Sequence, residues 1–392
     1  MIGKSALLLM PLLLNAREVA VKMLNPPVPP IAPVVEQLRA SRITTVFCRS
    51  DNLFTNAGTG RNLREFRTLL AACGIKFYIT APVFLDPEAI EKDPGLAGVG
   101  SFGNPSKVAD LKWYSFVCPA RPEYRKRKMA GIVDQVRELR PDGLSLDFIR
   151  YFVHWEKVKL DSKPESIEKF CFCDHCIGLM SAELGLRFPA EARTRQARAA
   201  WVLANHREAW TVWKCEKITS TVRETAAAAR SVVPQLSISL HGVPWTGQEY
   251  DGGRRVIAGQ DLKSLTPYVD DFGPMCYFQM LGRTPEWVHD VVADYFRHTR
   301  KPPLPSAQAS GSTRGEAIAP ELFRRYIIAA LKPPSLGVNL FSWERLKNDE
   351  EKLQILEQVL ASEDEPALQA TGQFGLIRLS LRRAQGRPDR SE

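Results

Sequence analysis

Long apolar runs are missing from this 392-residue chain: nowhere do 18 or more apolar residues follow one another, which excludes a multi-span membrane protein. Cysteine is sparse. Eight residues are too few for a disulfide scaffold, and a chain of this length buries enough surface to fold without one. Histidine is sparser still, at six, which disfavours the HxH and scattered His/Asp ligand sets of metal-dependent hydrolase barrels. The glycines of CRSDNLFTNAGTGRN (48–62) lack the GxGxxG spacing of a dinucleotide-binding loop. What is present is ordinary globular composition, 44% hydrophobic and 25% charged, which excludes wholesale disorder.

The net charge of +9 invites a nucleic-acid reading, but its distribution argues against one. Part of it lies in a C-terminal stretch with Arg378, Arg382, Arg383, Arg387 and Arg390. A second cluster, RPEYRKRK (121–128), sits where a helix begins, and no zinc-finger, RNP or GKS/T pattern accompanies either. A solvated face and a basic tail account for both, and no nucleic-acid partner is expected. Near the N-terminus, ALLLMPLLL (6–14) has the length of a signal-peptide core but no small-x-small cleavage site after it. This favours a cytoplasmic protein over an exported one. The expected organisation is a leader or N-terminal helix with a proline-rich linker (1–35), a main domain (36–361) and a basic tail (362–392).

From residue 43 onward, apolar strand-like runs alternate with amphipathic helical stretches. The runs are 43–49, 75–84, 112–118, 143–149, 235–241, 269–278, 303–309 and 337–343. Helices are expected at 62–73, 122–139, 195–229, 285–299, 318–331 and 348–361. Eight strands in βα alternation predict a (β/α)8 TIM barrel, α/β in class, with a cysteine-containing insertion (151–194) after the fourth strand. A doubly wound sheet is the alternative. Strand parity favours the barrel. Gly143, Ser145 and Asp147 share one face and Leu144, Leu146 and Phe148 the other; Ser237, Ser239 and His241 oppose Leu236, Ile238 and Leu240 in the same way.

A polar side chain at the C-terminal end of an inward face lies on the floor of a TIM-barrel active site. Asp147, His241, Tyr277, Gln308 and Trp343 meet that condition. Asp147 leads, as nucleophile, base or charge stabiliser; the structural alternative is a carboxylate that pairs with Arg150 and ties a loop. Trp155, Trp245, Tyr277, Phe278 and Trp343 are rim aromatics that could stack on sugar rings. Trp201, Trp210 and Trp213 read as core. Arg49 and Arg150 could hold hydroxyls or an acidic sugar, and His241 a substrate group.

DGLSLDFIRY (142–151) resembles the fourth-strand signature DG-x-x-x-D-F/Y-IR-W/Y of glycoside-hydrolase-like TIM-barrel families of bacterial proteins. It is also distantly similar to the DG-x-D-x-D-x-E strand of chitinase-type family-18 hydrolases. VDDFGPMCYF and GVNLFSWE are similar to the sixth and eighth strands of the latter. The resemblance spans residues 40–345 as motifs at strand ends, and it implies a carbohydrate-active barrel. It has a gap: the position of the chitinase acid is Ile149 and that of its middle Asp is Ser145. Any acid must therefore come from elsewhere. The resemblance to glycoside-hydrolase-like barrels implies a second carboxyl group. Glu344, which follows Trp343, ranks first, then Glu156, then Asp51; Asp271 lies at the wrong end of its strand.

FCFCDHC (170–176) gathers Cys171, Cys173, Cys176 and His175, a set suited to zinc. The fourth ligand could be His175, His154 or Cys215; a disulfide with a free thiol is the alternative. The expected role is a structural staple, with no cofactor needed for catalysis. The functional expectation is a glycoside hydrolase acting on an oligo- or polysaccharide. Its rival is a non-catalytic glycan-binding barrel.

Overall fold

The computed structural model describes residues 17–50, 57–311 and 317–362. Eight strands build one parallel sheet: β1 (Glu18–Met23), β2 (Thr45–Arg49), β3 (Lys76–Pro82), β4 (Gly143–Asp147), β5 (Ser237–Gly242), β6 (Asp271–Pro274), β7 (Ser306–Gln308) and β8 (Gly337–Phe341). Their order is β6-β5-β4-β3-β2-β1-β8-β7. A parallel bridge between Met275 and Ser306 brings β6 back to β7 and closes the ring. This is the (β/α)8 barrel, with helices outside it.

Two strand assignments change. The barrel begins at Glu18, not after residue 36. Segment 18–23 alternates Glu, Ala and Lys with Val, Val and Met, a period of two that suits a strand between interior and helices. Val19, Val21 and Met23 join the outer core, while Ala20 packs inside with Phe47, Tyr78 and Leu304. The proline-rich stretch is thus the first βα loop, running into the helix Ala32–Ala40, which opens on proline. Conversely, the run at 112–118 is not a barrel strand. Leu111–Ser115 pairs antiparallel with Lys107–Val108 in a separate hairpin. Lys112 and Trp113 are exposed, whereas a barrel strand is covered on both faces. The leader segment 6–14 and the tail beyond residue 362 lie outside the described residues.

The helices follow their apolar periodicity. Pro122–Leu139 buries Tyr124, Ile132, Val136 and Leu139. The stretch expected at 195–229 divides at His206 into Arg195–Asn205 and Arg207–Val232. Trp210 and Trp213 are buried, and Trp201 packs against the same core.

The N-terminal mouth of the barrel holds a cavity of about 410 Å³ lined by Glu18, Lys76, Tyr78, Asp270 and Asp271 among others. The Asp271 carboxylate accepts a 2.6 Å hydrogen bond from Ser239, and burial pushes its pKa up to about 7. It lies at the end of the barrel opposite Asp147, as its position at the start of a strand requires.

Gly337 marks the β1–β8 seam. A Cβ there would stand 1.9 Å from the Glu18 carbonyl oxygen, inside any van der Waals contact. Gly337→Ala must push the two strands apart, at a cost of about 1–3 kcal/mol or more. Thermal unfolding should report a clearly lower Tm, and an unchanged Tm would contradict a barrel seam at Glu18.

Candidate active site

Asp147 ends β4 and points into the barrel. Its partner is not Arg150 but Lys22 of β1, whose ammonium lies 2.5 Å from Oδ2. Both side chains are buried. The other carboxylate oxygen accepts the backbone N–H of Phe148 at 2.8 Å. Phe148 takes up a positive φ of 50°, which is rare for a bulky residue and turns its N–H back onto the carboxylate. Burial alone raises the Asp147 pKa. The Lys22 charge and the hydrogen bonds from Lys22 and Phe148 outweigh it, holding the carboxyl well below the usual carboxylate range. Asp147 is therefore ionised at any ordinary pH.

His241, at the end of β5, is buried in the same interior, its ring centroid 6.1 Å from that of Phe47. Burial, then the Lys22 charge, push its pKa down to about 4, so the imidazole is neutral. Gly273 leaves the space for it, since a Cβ there would lie 3.2 Å from Nδ1. Thr80, Ser145, Ser306 and Asn339 carry buried side-chain oxygens with no protein hydrogen-bond partner. Such atoms are costly unless something satisfies them, so the interior is provided for water or a hydroxyl-rich guest.

The second carboxylate in this environment is Glu156. It follows Trp155 on the loop after β4, half-buried, and Oε2 lies 3.2 Å from the Tyr114 hydroxyl. Burial raises its pKa; the Arg150 charge and the Tyr114 hydrogen bond lower it, and Asp147 adds to the rise. The net direction is upward. Tyr277 stands in the field of both Asp147 and Glu156. Its ring stacks on Phe341 at 5.0 Å and tilts against Trp155 at 5.8 Å. Lys22 in turn lies 5.8 Å from the Phe341 ring centroid. One lysine, two carboxylates and these rings thus form a continuous constellation at the C-terminal mouth.

Glu344, ranked first from the sequence, has a structural duty. Its Oε1 accepts the backbone N–H groups of Leu24 at 2.7 Å and Asn25 at 3.1 Å, tying the end of β1 to the end of β8. Arg150 is buried and pins its own loop: it donates to the Val153 carbonyl at 3.0 Å and to the Tyr114 hydroxyl at 2.9 Å. Gln308 is likewise engaged, accepting from Gln279 N at 3.1 Å and donating to Ser310 O at 2.8 Å. Arg49 sits half-buried at the end of β2, in register with Thr80. Asp51 lies outside the described residues. Ile149 is buried in the core, so the chitinase acid position faces away from the interior.

The expected aromatics separate into two groups. Trp155, Trp245 and Tyr277 pack together with Tyr250 and Met275 in a cluster at the mouth. Phe278 and Trp343 belong to the main core. An exposed ring that sequence reasoning passed over is Trp113, 52% exposed and edge-on to Tyr114 at 5.0 Å. Lys22 was missed too, although the alternation of EVAVKM carries the signal for an inward-facing lysine.

The metal-ligand expectation is corrected. His175 Nε2 lies 2.9 Å from the Ala120 carbonyl oxygen and takes no part in the thiol group. The fourth cysteine beside Cys171, Cys173 and Cys176 is Cys118, from the segment that follows the hairpin.

No protein-family model matches the chain, and no curated protein matches it by sequence. Solved structures do match its fold. The glycoside hydrolase domain of PgaB (BpsB) from Bordetella bronchiseptica is 14% identical, over 87% of this chain and 98% of that one, with a TM-score of 0.63. A β-galactosidase from the psychrophilic Marinomonas ef1 is 11% identical over 90% of this chain and 60% of its own, with a TM-score of 0.64. α-L-Fucosidase isoenzyme 2 from Paenibacillus thiaminolyticus is 15% identical over 90% and 50%, at 0.57. The chain shares the (β/α)8 fold of these hydrolases, and at these identities the likeness speaks for fold alone.

Lys22 is what keeps Asp147 charged. A carboxyl whose pKa is lowered on folding adds stability above its unfolded pKa and loses it as pH falls through the folded value. Lys22→Met reverses the sign: the uncompensated carboxylate is raised by burial, so the variant is weakest at high pH. Removing one partner of a buried pair costs about 3–5 kcal/mol. Denaturant unfolding should show that deficit at pH 8, shrinking toward pH 4, and largely restored at pH 8 by adding Asp147→Asn. A deficit independent of pH would sink the assignment.

Proposed function

We propose that this protein is a glycoside hydrolase acting on an oligo- or polysaccharide, with Asp147 as the ionised carboxylate and Glu156 as the general acid. The observation that carries the reading is the opposed environments of the two carboxyl groups in one mouth. Glycosidic cleavage needs one carboxyl that stays ionised and one that keeps its proton near neutral pH. Asp147 is held charged by Lys22, and Glu156 is raised by burial. Asp147 would attack the anomeric carbon or activate water there, and Glu156 would give its proton to the departing glycosidic oxygen. The neutral His241 and the partnerless interior hydroxyls would meet sugar hydroxyls. Trp113, exposed beside Tyr114, would offer a flat face to the ring of an adjacent sugar.

Glu344 is given the tie between β1 and β8 rather than a catalytic part: Oε1 accepts from the backbone of Leu24 and Asn25, and Oε2 is buried without a protein partner. The glycan-binding alternative draws on the same mouth, and turnover separates the two.

Reducing-end release from a mixed oligosaccharide pool is the test. Asp147→Asn and Glu156→Gln should each lower turnover by about 10²–10⁴-fold, while Glu344→Gln should stay within about tenfold of the parent. Parent activity should fall as pH rises through the elevated Glu156 pKa and persist on the acid side, since Asp147 stays ionised there. Turnover unaffected by Asp147→Asn, in a variant that melts normally, would refute the assignment. Tight glycan binding with no turnover by the parent would favour the binding module.

A further inference from the structure

Four cysteines that are far apart in the chain meet in one buried pocket. Cys118 comes from the segment after the hairpin, Cys171 and Cys173 from the loop after β4, and Cys176 from the first turn of the helix Asp174–Leu184. Their sulfurs all lie within 4.8 Å of one another. Cys118 and Cys176 are 3.2 Å apart, and Cys118 and Cys173 are 3.9 Å apart. A zinc ion bound tetrahedrally through bonds of about 2.3 Å would set its sulfurs about 3.8 Å apart, so the pocket matches zinc in size.

The surroundings suit thiolates as well. The backbone N–H groups of Val99 and Cys173 each point at Cys171 Sγ from 3.4 Å. Hydrogen bonds of this kind favour the anionic sulfur. A zinc tetrathiolate carries two net negative charges, which a buried site must balance. Lys214 is buried beside it. Its ammonium donates to the carbonyl of Phe170 at 2.6 Å, next in chain to Cys171, and to those of Val256 and Ile257. It also lies 4.4 Å from the ring centroids of Tyr151 and Trp210. Burial pushes the Lys214 pKa down to about 7, and the cage gives its amine no carboxylate partner among the described ion pairs. Arg195 supplies a second positive charge near Cys171 and Cys173.

We propose that Cys118, Cys171, Cys173 and Cys176 bind one zinc ion as a structural tetrathiolate that braces the loop after β4. The brace works through packing. Phe116 precedes Cys118 by two residues and touches Phe148 and Phe152, with centroids 5.7 and 5.5 Å away. Phe170 precedes Cys171 and packs on Phe152 at 5.0 Å. Tying 116–118 to 170–176 therefore clamps the 148–156 loop between them. The site stands whether or not that loop carries a catalytic acid.

Elemental analysis of the purified full chain tests this. About one zinc per chain is expected, released by a thiol-specific mercurial in step with the four ligand thiols, after the exposed Cys73 has reacted. Cys118→Ser should lose most of the metal, while Cys215→Ser, whose sulfur faces the Arg255 carbonyl at 3.7 Å, should keep it. Cobalt substituted for zinc should show the intense visible bands of a tetrahedral thiolate site. Stripping the metal should lower Tm and open residues 148–169 to limited proteolysis. If Cys118→Ser does not fold, the mercurial titration of the parent decides alone. A parent with no zinc, with iron instead, or with a mass lower by two hydrogens per disulfide overturns the proposal.

Discussion

A lysine ammonium and an aspartate carboxylate, both removed from water, meet inside the barrel at 2.5 Å. Neither could be buried alone, because an isolated ion loses several kcal/mol of hydration. Replacing such a pair with apolar residues often leaves a fold as stable or more so, so packing does not explain why the pair is there. Its geometric consequence is more informative. The pair joins β1 to β4 across the interior, keeps Asp147 ionised, and makes a cation part of the field around His241 and the mouth. The ionised state of Asp147 depends on it, while His241 is neutral chiefly through burial, with the Lys22 charge adding to it.

The remaining features of the mouth are arranged around that charge. Phe148 adopts its unusual backbone conformation where its N–H can reach the carboxylate. Arg150 turns away from Asp147 and instead supports Tyr114, which touches Glu156. Glu344 joins the ends of β1 and β8, holding in place the strand that delivers Lys22. On the far side of the loop, the four-cysteine pocket secures the segments that hem in residues 148–156. The mouth thus consists of one buried charged pair, one half-buried carboxyl, and clamps that hold their loops.

Much of this was legible in the chain. The alternation of GLSLD and SISLH set Asp147 and His241 on the interior face, because a strand has a period of two whatever its neighbours. The helix at 122–139 has the same bounds in the structure, since its apolar spacing and N-terminal proline act locally. Trp210 and Trp213 read as core and are core. The likeness of DGLSLDFIRY to hydrolase-like barrels agrees with the fold observed. The first strand is hard to read from the chain because EVAVKM follows a longer apolar stretch with the length of a signal-peptide core. The hairpin at Leu111–Ser115 was mistaken for a barrel strand because β-rich composition does not reveal whether one face or two will be covered.

Sequence by itself determined the alternation of strands and helices, the inward-facing Asp147, and the three clustered cysteines, all of which follow from periodicity or from residues adjacent in the chain. Only the tertiary structure decided the partners. Lys22 and Asp147 are 125 residues apart, Glu344 and Leu24 are 320 apart, and Cys118 and Cys176 are 58 apart. Which charge meets which, and so which carboxyl has its pKa lowered and which has it raised, depends on burial and on distances across the barrel. Those are set when the sheet closes, and no local pattern in the chain encodes them.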